Sequence, residues 1–172
     1  MSQIIQTNNL LNRVKEAFRY SNGNLIWAIP KKGTRGVGSI AGRINSRGYR
    51  QIGLDRKIYM AHRLIFLFHH GWLPEQIDHI NGNCSDNRIE NLRAATMAQN
   101  MRNRAIQSNN TSGCKGVTFN QVKKKWMVNC RLNKSRHFLG YYKDKELADL
   151  VAKSFREKYH GEFCNHGSFN HV

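Results

Sequence analysis

Short apolar runs, each interrupted by a turn, most constrain what this chain can fold into. The longest runs, such as LIFLF at 64–68, have five residues, far fewer than the roughly 20 that a membrane-spanning helix needs. Runs such as GYRQIGLD, KGVTFN and KWMVNCRL are separated by turns rich in Gly, Asn and Lys, which is typical of short strands. The 172 residues therefore predict one domain or two small ones, of α+β class and outside any membrane.

The cysteines and the N-terminal segment predict a cytoplasmic protein with reduced thiols. Cys84, Cys114, Cys130 and Cys164 form no C-x-x-C pair and have no neighbouring His at a usual zinc spacing. A zinc site assembled from distant residues is the less favoured alternative. Residues 1–18 lack the basic and then apolar regions of a signal peptide.

Positive charge dominates the composition. The chain has 28 Lys and Arg against 11 Asp and Glu, a formal net charge of +17, which favours a polyanionic partner. Residues 31–73 hold nine basic residues and one acidic residue, and residues 91–143 hold eleven and none. Two basic stretches around one polar motif favour a groove for a phosphate backbone. Nucleic acid is therefore the predicted partner, rather than an anionic membrane.

The polar motif is IDHINGNCSDNRIENLRAATMAQN, residues 77–100. Apolar Ile77 places the adjacent Asp78-His79 pair at the end of a predicted strand. Thr96 with Gln99 forms a capping-box pattern and predicts a helix from about Met97 to Arg104. A strand, a turn, a second strand and this helix would bring the Asp-His pair against Asn100.

These elements resemble the ββα-metal site of HNH endonucleases, in the subgroup typical of phage and intron homing enzymes. The resemblance is carried by IDHINGN, by the DNRIENLR run, by the QN-xx-N ending and by the preceding AHRLIFLF, and it covers most of residues 20–104. It implies hydrolysis of DNA phosphodiester bonds to 5′-phosphate and 3′-hydroxyl ends. A free-standing enzyme encoded by a phage would act in the host cytoplasm.

The resemblance also implies roles for individual residues. His79 would be the general base, since imidazole titrates near neutrality. Asp78 and Asn100 would bind one Mg2+ or Mn2+ ion per active site, because hard ions prefer oxygen ligands. Asn91 would hydrogen-bond across the turn and orient His79. The last His of the family name is replaced by Asn100. The remaining residues of the region are interpreted as structural: Asn81, Asn83 and Asn87 as turn residues, and His62 as a packed or hydrogen-bonding residue.

The C-terminal half has its own pattern. We expect a nuclease domain at 1–106, a linker at 107–110 and a DNA-binding domain at 111–172. Three strand-like runs precede a helix that Asp144 would cap and Gly161 would end. This order predicts a three-stranded antiparallel sheet packed on one helix. The predicted buried face of the helix comprises Leu147, Leu150, Val151, Phe155 and Tyr159.

Residues 111–164 resemble the Apetala or ethylene-response-factor DNA-binding domain, whose sheet lies in the major groove. Alternation independently predicts a two-faced sheet, with Trp126, Val128, Cys130, Val117 and Phe119 facing the helix. Thr118 and Asn129 differ from the residues common in the plant domains, so the plant target is not implied. The candidate DNA contacts are Arg131 and Arg136, followed by Lys115, Lys125, Thr118 and Asn129, with Arg93 and Arg104 as candidate phosphate contacts.

Two other functions remain open from the residues alone. One is a non-catalytic, sequence-specific DNA-binding regulator whose nuclease half has lost activity. The other is an RNA-binding protein, which is disfavoured because the aromatic stacking motifs of common RNA-binding modules are missing from the sequence. For the nuclease, a monomer or weak homodimer is expected, and a monomer would nick double-stranded DNA.

Overall fold

A computed structural model describes residues 2–30 and 36–167. They group into two units, Met1–Thr96 and Met97–Val172. This boundary precedes the expected linker at 107–110, so the short helix after Thr96 belongs to the second unit. The assignment of a nuclease domain and a DNA-binding domain to these parts stays a prediction. Basic residues 31, 32 and 35, counted above in the first basic stretch, lie outside the described residues.

The first unit combines two helices with small antiparallel sheets. Strands β1 and β2 form one sheet, β3, β4 and β5 a second, and β6 and β7 a third. The elements are α1 (Ser2–Ala17), β1 (Phe18–Ser21), β2 (Asn24–Trp27), β3 (Arg43–Ile44), β4 (Arg50–Leu54), β5 (Lys57–Met60), α2 (Ala61–His70), β6 (Gln76–His79) and β7 (Leu92–Ala95).

The core of the first unit forms around α2. Leu64 and Ile65 of the LIFLF run are fully buried, and they share a hydrophobic cluster with Ile52, Ile77 and Leu92. Burial of such aliphatic side chains is worth about 1.5–3 kcal/mol each. Because Ile77 and Leu92 belong to β6 and β7, this core holds the hairpin that carries the Asp78-His79 pair. Helix α2 ends at a glycine: Gly71 has φ 77° and its N–H donates to the Leu67 carbonyl at 2.9 Å.

The second unit contains the predicted three-stranded antiparallel sheet and its helix. Its elements are α3 (Met97–Arg102), β8 (Val117–Asn120), β9 (Lys125–Leu132), β10 (Ser135–Tyr142) and α4 (Lys145–His160), with the strands in the order β10-β9-β8. Asp144 caps α4 as predicted, because its Oδ1 accepts from the Leu147 N–H at 2.7 Å.

The predicted buried face of α4 is confirmed for Val151 and Phe155, which pack against the core of the second unit, and is wrong for its other three residues. Leu147, Leu150 and Tyr159 are 48%, 59% and 43% exposed. The residues that α4 buries are spaced by four instead, and they are Ala148, Ala152, Arg156 and His160. The two alanines join Val128 and Cys130 of β9 in one cluster, so small side chains let the helix lie close to the sheet. Phe119 also departs from the prediction: it is 36% exposed and packs on Trp126 at 4.9 Å between ring centroids.

Candidate active site

The β6–β7 hairpin holds Asp78 in a cross-strand ion pair. The register places Asp78 directly opposite Arg93, where side chains of opposite charge can meet. Arg93 Nε and Nη2 both donate to Asp78 Oδ2, at 2.8 and 2.7 Å. The Asp78 side chain is only 4% exposed. The arginine therefore pairs with this buried carboxylate and orients it.

His79 is held by Asn87 from the loop between the strands. Its Nε2 lies 3.1 Å from Asn87 Oδ1, and Asn87 Nδ2 donates to the Ser85 carbonyl at 3.4 Å, which sets the orientation of the amide. An amide oxygen only accepts, so the hydrogen of a neutral imidazole is on Nε2 and the lone pair is on Nδ1. Burial lowers the pKa of His79, while the Asn87 hydrogen bond and the nearby Asp78 and Asp86 charges act in the opposite direction. The ring is therefore neutral near pH 7 and has a basic nitrogen.

Two aromatic rings pack against His79. The His62 ring meets the His79 ring edge-on at 5.0 Å between centroids, and Tyr49 lies 5.6 Å from His62 and 6.1 Å from His79. Burial lowers the pKa of His62 to about 3, helped by the charges of His79 and Arg63. His62 is thus a neutral packing residue, in agreement with the sequence-based interpretation.

Asn91, at the end of the loop between β6 and β7, hydrogen-bonds back to the start of that loop. Its side-chain oxygen accepts from the Asn81 N–H at 3.0 Å, and its Nδ2 donates to Asn81 Oδ1 at 3.0 Å and to the Asp86 carbonyl at 2.8 Å. These bonds cross the turn as the resemblance implies. The side-chain bond to His79 comes from Asn87 rather than from Asn91, so an orienting role of Asn91 toward His79 stays a prediction.

Asn87 is the site residue that sequence reasoning missed. It was interpreted as a turn residue, like Asn81 and Asn83, but it is 2% exposed and bonds to His79. A loop with many asparagines gives no local signal of which amide turns inward, because all of them favour turns equally. The spacing of the asparagines along the sequence therefore could not distinguish Asn87 from Asn81 and Asn83.

The β1–β2 hairpin supports the loop from one side. Tyr20 Oη accepts from the Ile89 N–H at 3.1 Å. Gly23, with φ 78°, approaches so closely that an added Cβ would lie 2.9 Å from the Arg88 nitrogen. A larger residue at this turn would displace the loop that holds His79.

Asn91→Ala is expected to lower the free energy of unfolding of the first unit by about 2 kcal/mol, because three hydrogen bonds of about 0.5–1.5 kcal/mol each are lost. For a unit of this size the midpoint of thermal unfolding would fall by about 10 °C. Asn83→Ala is the matched control, since Asn83 is an exposed residue of the same loop. Equal midpoints of thermal unfolding for the two variants would show that the Asn91 side chain does not stabilise the loop.

The second unit gathers most of the candidate DNA contacts on one sheet face. Arg131 and Arg136 are directly opposite each other on β9 and β10, and both are exposed. Alternation along the strands puts Thr118, Lys125 and Asn129 on this same face, away from α4. Arg104 is an exposed residue that follows α3.

Lys115 has a different environment from these residues. Its Nζ donates to the carbonyls of Arg102, Arg104 and Asn165 at 2.9, 2.6 and 3.1 Å. Burial lowers the pKa of Lys115 to about 8, with a contribution from the Arg156 charge, so the ammonium still has three hydrogens near pH 7. All three are engaged within the unit, and we assign Lys115 a structural role rather than a DNA contact.

Metal-ligand candidates are sparse in the part of the chain that the structure describes. Across residues 2–30 and 36–167, no three His, Cys, Asp or Glu side chains are grouped to hold an ion, and all four cysteines are free thiols. Asn100 lies on α3 in the second unit, so its role as a partner of Asp78 stays a prediction.

Comparison with known proteins identifies the family of the segment that contains this site. Residues 59–102 match the HNH endonuclease family. Protein 3.8 of Escherichia phage T7 is 30% identical over 90 residues, which are 51% of this chain and 72% of the phage protein. The chain belongs to the family of this phage protein and carries an HNH endonuclease domain. No solved structure gives a significant match.

The HNH domain begins at Tyr59, near the end of β5, and runs through α2, β6 and β7 to Arg102 at the end of α3. Asp78, His79, Asn91 and Asn100 all fall within it. The match ends before β8, so the C-terminal sheet lies outside the HNH domain. No helix in the described part of the chain has the length and apolar character needed to cross a bilayer.

Proposed function

We propose that the protein is a metal-dependent DNA endonuclease of the HNH homing type, which hydrolyses phosphodiester bonds at a preferred site in double-stranded DNA. The observation that carries this proposal is the neutral His79, held through Nε2 by Asn87 beside the buried Asp78, inside an HNH domain. The products would be 5′-phosphate and 3′-hydroxyl ends. A phage-encoded enzyme of this kind would act in the host cytoplasm, as a monomer or weak homodimer that nicks one strand.

His79 would act as the general base. Its Nδ1 lone pair takes a proton from a water molecule as the water oxygen attacks phosphorus, and the 3′ oxygen leaves. A neutral imidazole is required at the start of this step, and burial of the ring supplies it. The Asn87 bond keeps the hydrogen on Nε2 and so keeps the basic lone pair on Nδ1.

A divalent ion fits the chemistry of Asp78. The side chain is a buried, ionised carboxylate of the kind that Mg2+ or Mn2+ prefers, and the family resemblance adds the Asn100 amide oxygen. One bound ion would polarise the scissile phosphate and stabilise the charge on the leaving oxygen. Arg93 holds the Asp78 carboxylate in place, and its charge would favour a nearby DNA phosphate.

The sheet face of the second unit would hold the DNA. Two arginines directly opposite each other repel, and an anionic backbone would relieve this repulsion. An arginine can also read guanine through two hydrogen bonds in the major groove. This supports an Apetala-like mode of binding, in which Arg131 and Arg136 are the principal contacts, Thr118, Lys125 and Asn129 lie beside them, and Arg104 touches phosphate.

Arg131→Ala is expected to weaken DNA binding and to lower by about one the slope of log affinity against log salt concentration, because one phosphate contact is lost. The affinity is measured at several salt concentrations by fluorescence anisotropy. Lys158→Ala is the control, because it removes one charge from an exposed position on α4. An unchanged slope for Arg131→Ala would count against that contact.

The test of the function is incubation of supercoiled plasmid with the full chain and Mg2+ or Mn2+. Open-circular DNA with 5′-phosphate ends is the expected product, and chelation of the ion should stop its formation. Tight DNA binding without any cleavage would favour the non-catalytic regulator. Competition between DNA and RNA at one salt concentration separates both functions from RNA binding.

A further inference from the structure

A basic cavity of about 440 Å³ lies within the second unit, between α3, β9 and the end of α4. Its positively charged lining residues are Arg102, Lys115, Arg131, Lys134 and Arg156, and none of the described lining residues is acidic. Such a concentration of positive charge around one space attracts anions. Two of its lining residues, Asn129 and Arg131, are also DNA contacts in the nuclease function proposed above, whereas Arg102, Lys134, Arg156 and His160 are not used there.

Arg156 gives the strongest evidence for an anionic occupant. The residue is 2% exposed, and its described partners are the Lys115 carbonyl and His166 Nδ1. Its Nε has no hydrogen-bond partner among the described residues, and no described carboxylate forms an ion pair with it. A buried guanidinium without an acidic partner costs several kcal/mol. An anion in the cavity that Arg156 lines would offset that cost.

His160 adds a second, separate observation. The residue is 8% exposed, and its Nε2 lies 3.2 Å from the Arg131 carbonyl oxygen. Because Nε2 donates to that oxygen, the neutral ring has its lone pair on Nδ1, which has no partner in the described part of the chain and would accept a hydrogen bond from a donor group of a ligand. Arg156 Nε and His160 Nδ1 are the two buried side-chain nitrogens that lack partners among the described residues, and both residues line this one cavity.

The size and the walls of the cavity define the class of ligand. A volume of about 440 Å³ lies within the roughly 300–1,000 Å³ range of small-molecule sites and exceeds what one phosphate group fills. Beside the basic residues, Ala98, Met101 and Cys130 provide apolar wall. A ligand with an anionic end and a flat apolar part matches both surfaces.

We propose that this cavity binds a nucleotide, with its phosphate near Arg156, Arg131 and Lys134 and its base against Ala98 and Met101. The nucleotide is either a free one or a single unit of a bound DNA strand. The shared chemistry is a nucleoside phosphate. The proposal stands apart from cleavage, because none of these residues is assigned to the hydrolytic step.

The test is calorimetric titration of the full chain with thymidine monophosphate, thymidine and inorganic phosphate at low salt. The monophosphate should bind more tightly than either fragment, since it alone reaches both walls. Lys134→Gln should weaken its binding about tenfold, which corresponds to about 1.4 kcal/mol. Lys134 already has a positive φ of 67°, and Gln carries the same backbone strain, so the variant should fold normally.

Lys158→Gln is the matched control, because it removes the same charge from α4 outside the cavity and should change the affinity by less than twofold. An equal loss for both variants would mean that general charge attraction explains the binding and would overturn the proposal. If the folded wild-type chain showed no saturable binding of thymidine monophosphate, the proposal would also be overturned. Circular dichroism of each variant checks the fold.

Competition with a short single-stranded oligonucleotide distinguishes a site for a free nucleotide from a site for one nucleotide of a bound DNA strand. If the cavity takes a nucleotide of DNA, the oligonucleotide displaces thymidine monophosphate and Lys134→Gln weakens both ligands by the same factor. If it takes a free nucleotide, the two ligands bind together and only the monophosphate loses affinity. The titration measures nucleotide binding and not cleavage. If the protein failed to cut plasmid DNA, the proposed nuclease function would be contradicted but the binding result would keep its meaning.

Discussion

His79→Ala is expected to lower the rate of DNA cleavage by about 10²–10⁴-fold, the usual contribution of a general base, and to leave DNA affinity within about twofold. The reason is local: the alanine removes the basic Nδ1, whereas the basic sheet face of the second unit is unaltered. The cleavage rate on a plasmid and the Kd for a duplex are measured in the same buffer. A variant that cuts at the wild-type rate would show that His79 is not the base.

The His79 experiment needs a control for packing, because the ring lies against His62 and Tyr49. His79→Gln fills most of the same space without an imidazole base, so it should be as inactive as His79→Ala and closer to wild type in thermal stability. His70→Ala replaces an exposed histidine at the end of α2 and should cut like the wild type. Activity in His79→Gln would contradict the assignment.

Asp78→Asn is expected to have the second largest effect, a fall in cleavage rate of at least about 100-fold, because a neutral amide is a far weaker ligand for a hard divalent ion. It should also lower the free energy of unfolding by about 1–3 kcal/mol, since Arg93 loses its ionised partner. Cleavage is measured over a range of Mn2+ concentrations, and stability by denaturant unfolding.

The double variant Asp78→Asn with Arg93→Met separates these two effects. Removing the arginine charge as well should restore most of the lost stability, because the buried charge that had lost its carboxylate is also gone. Cleavage should stay low, because the carboxylate is still missing. Recovery of cleavage together with stability would mean that Asp78 acts only by holding the hairpin.

Local patterns in the sequence were sufficient for several elements of the fold. The capping of α4 by Asp144, the three-stranded antiparallel sheet of the second unit and the β6–β7 hairpin are confirmed. Each depends on residues close together in the chain, whose conformational preferences act over one turn or one hairpin. The HNH domain was recognisable for a similar reason, because its residues occur at set intervals within one short segment.

The sequence by itself therefore determined the order of elements, the basic character of the chain and the position of the Asp78-His79 pair. Only the tertiary structure decided that Asn87 holds His79, that Arg93 pairs with Asp78, and that Lys115 is engaged by three carbonyls. It also decided that α4 buries alanines, Arg156 and His160 rather than its leucines. These features depend on which side chains from separate elements meet, and on how closely a helix approaches a sheet. Periodicity along one segment carries no information about either.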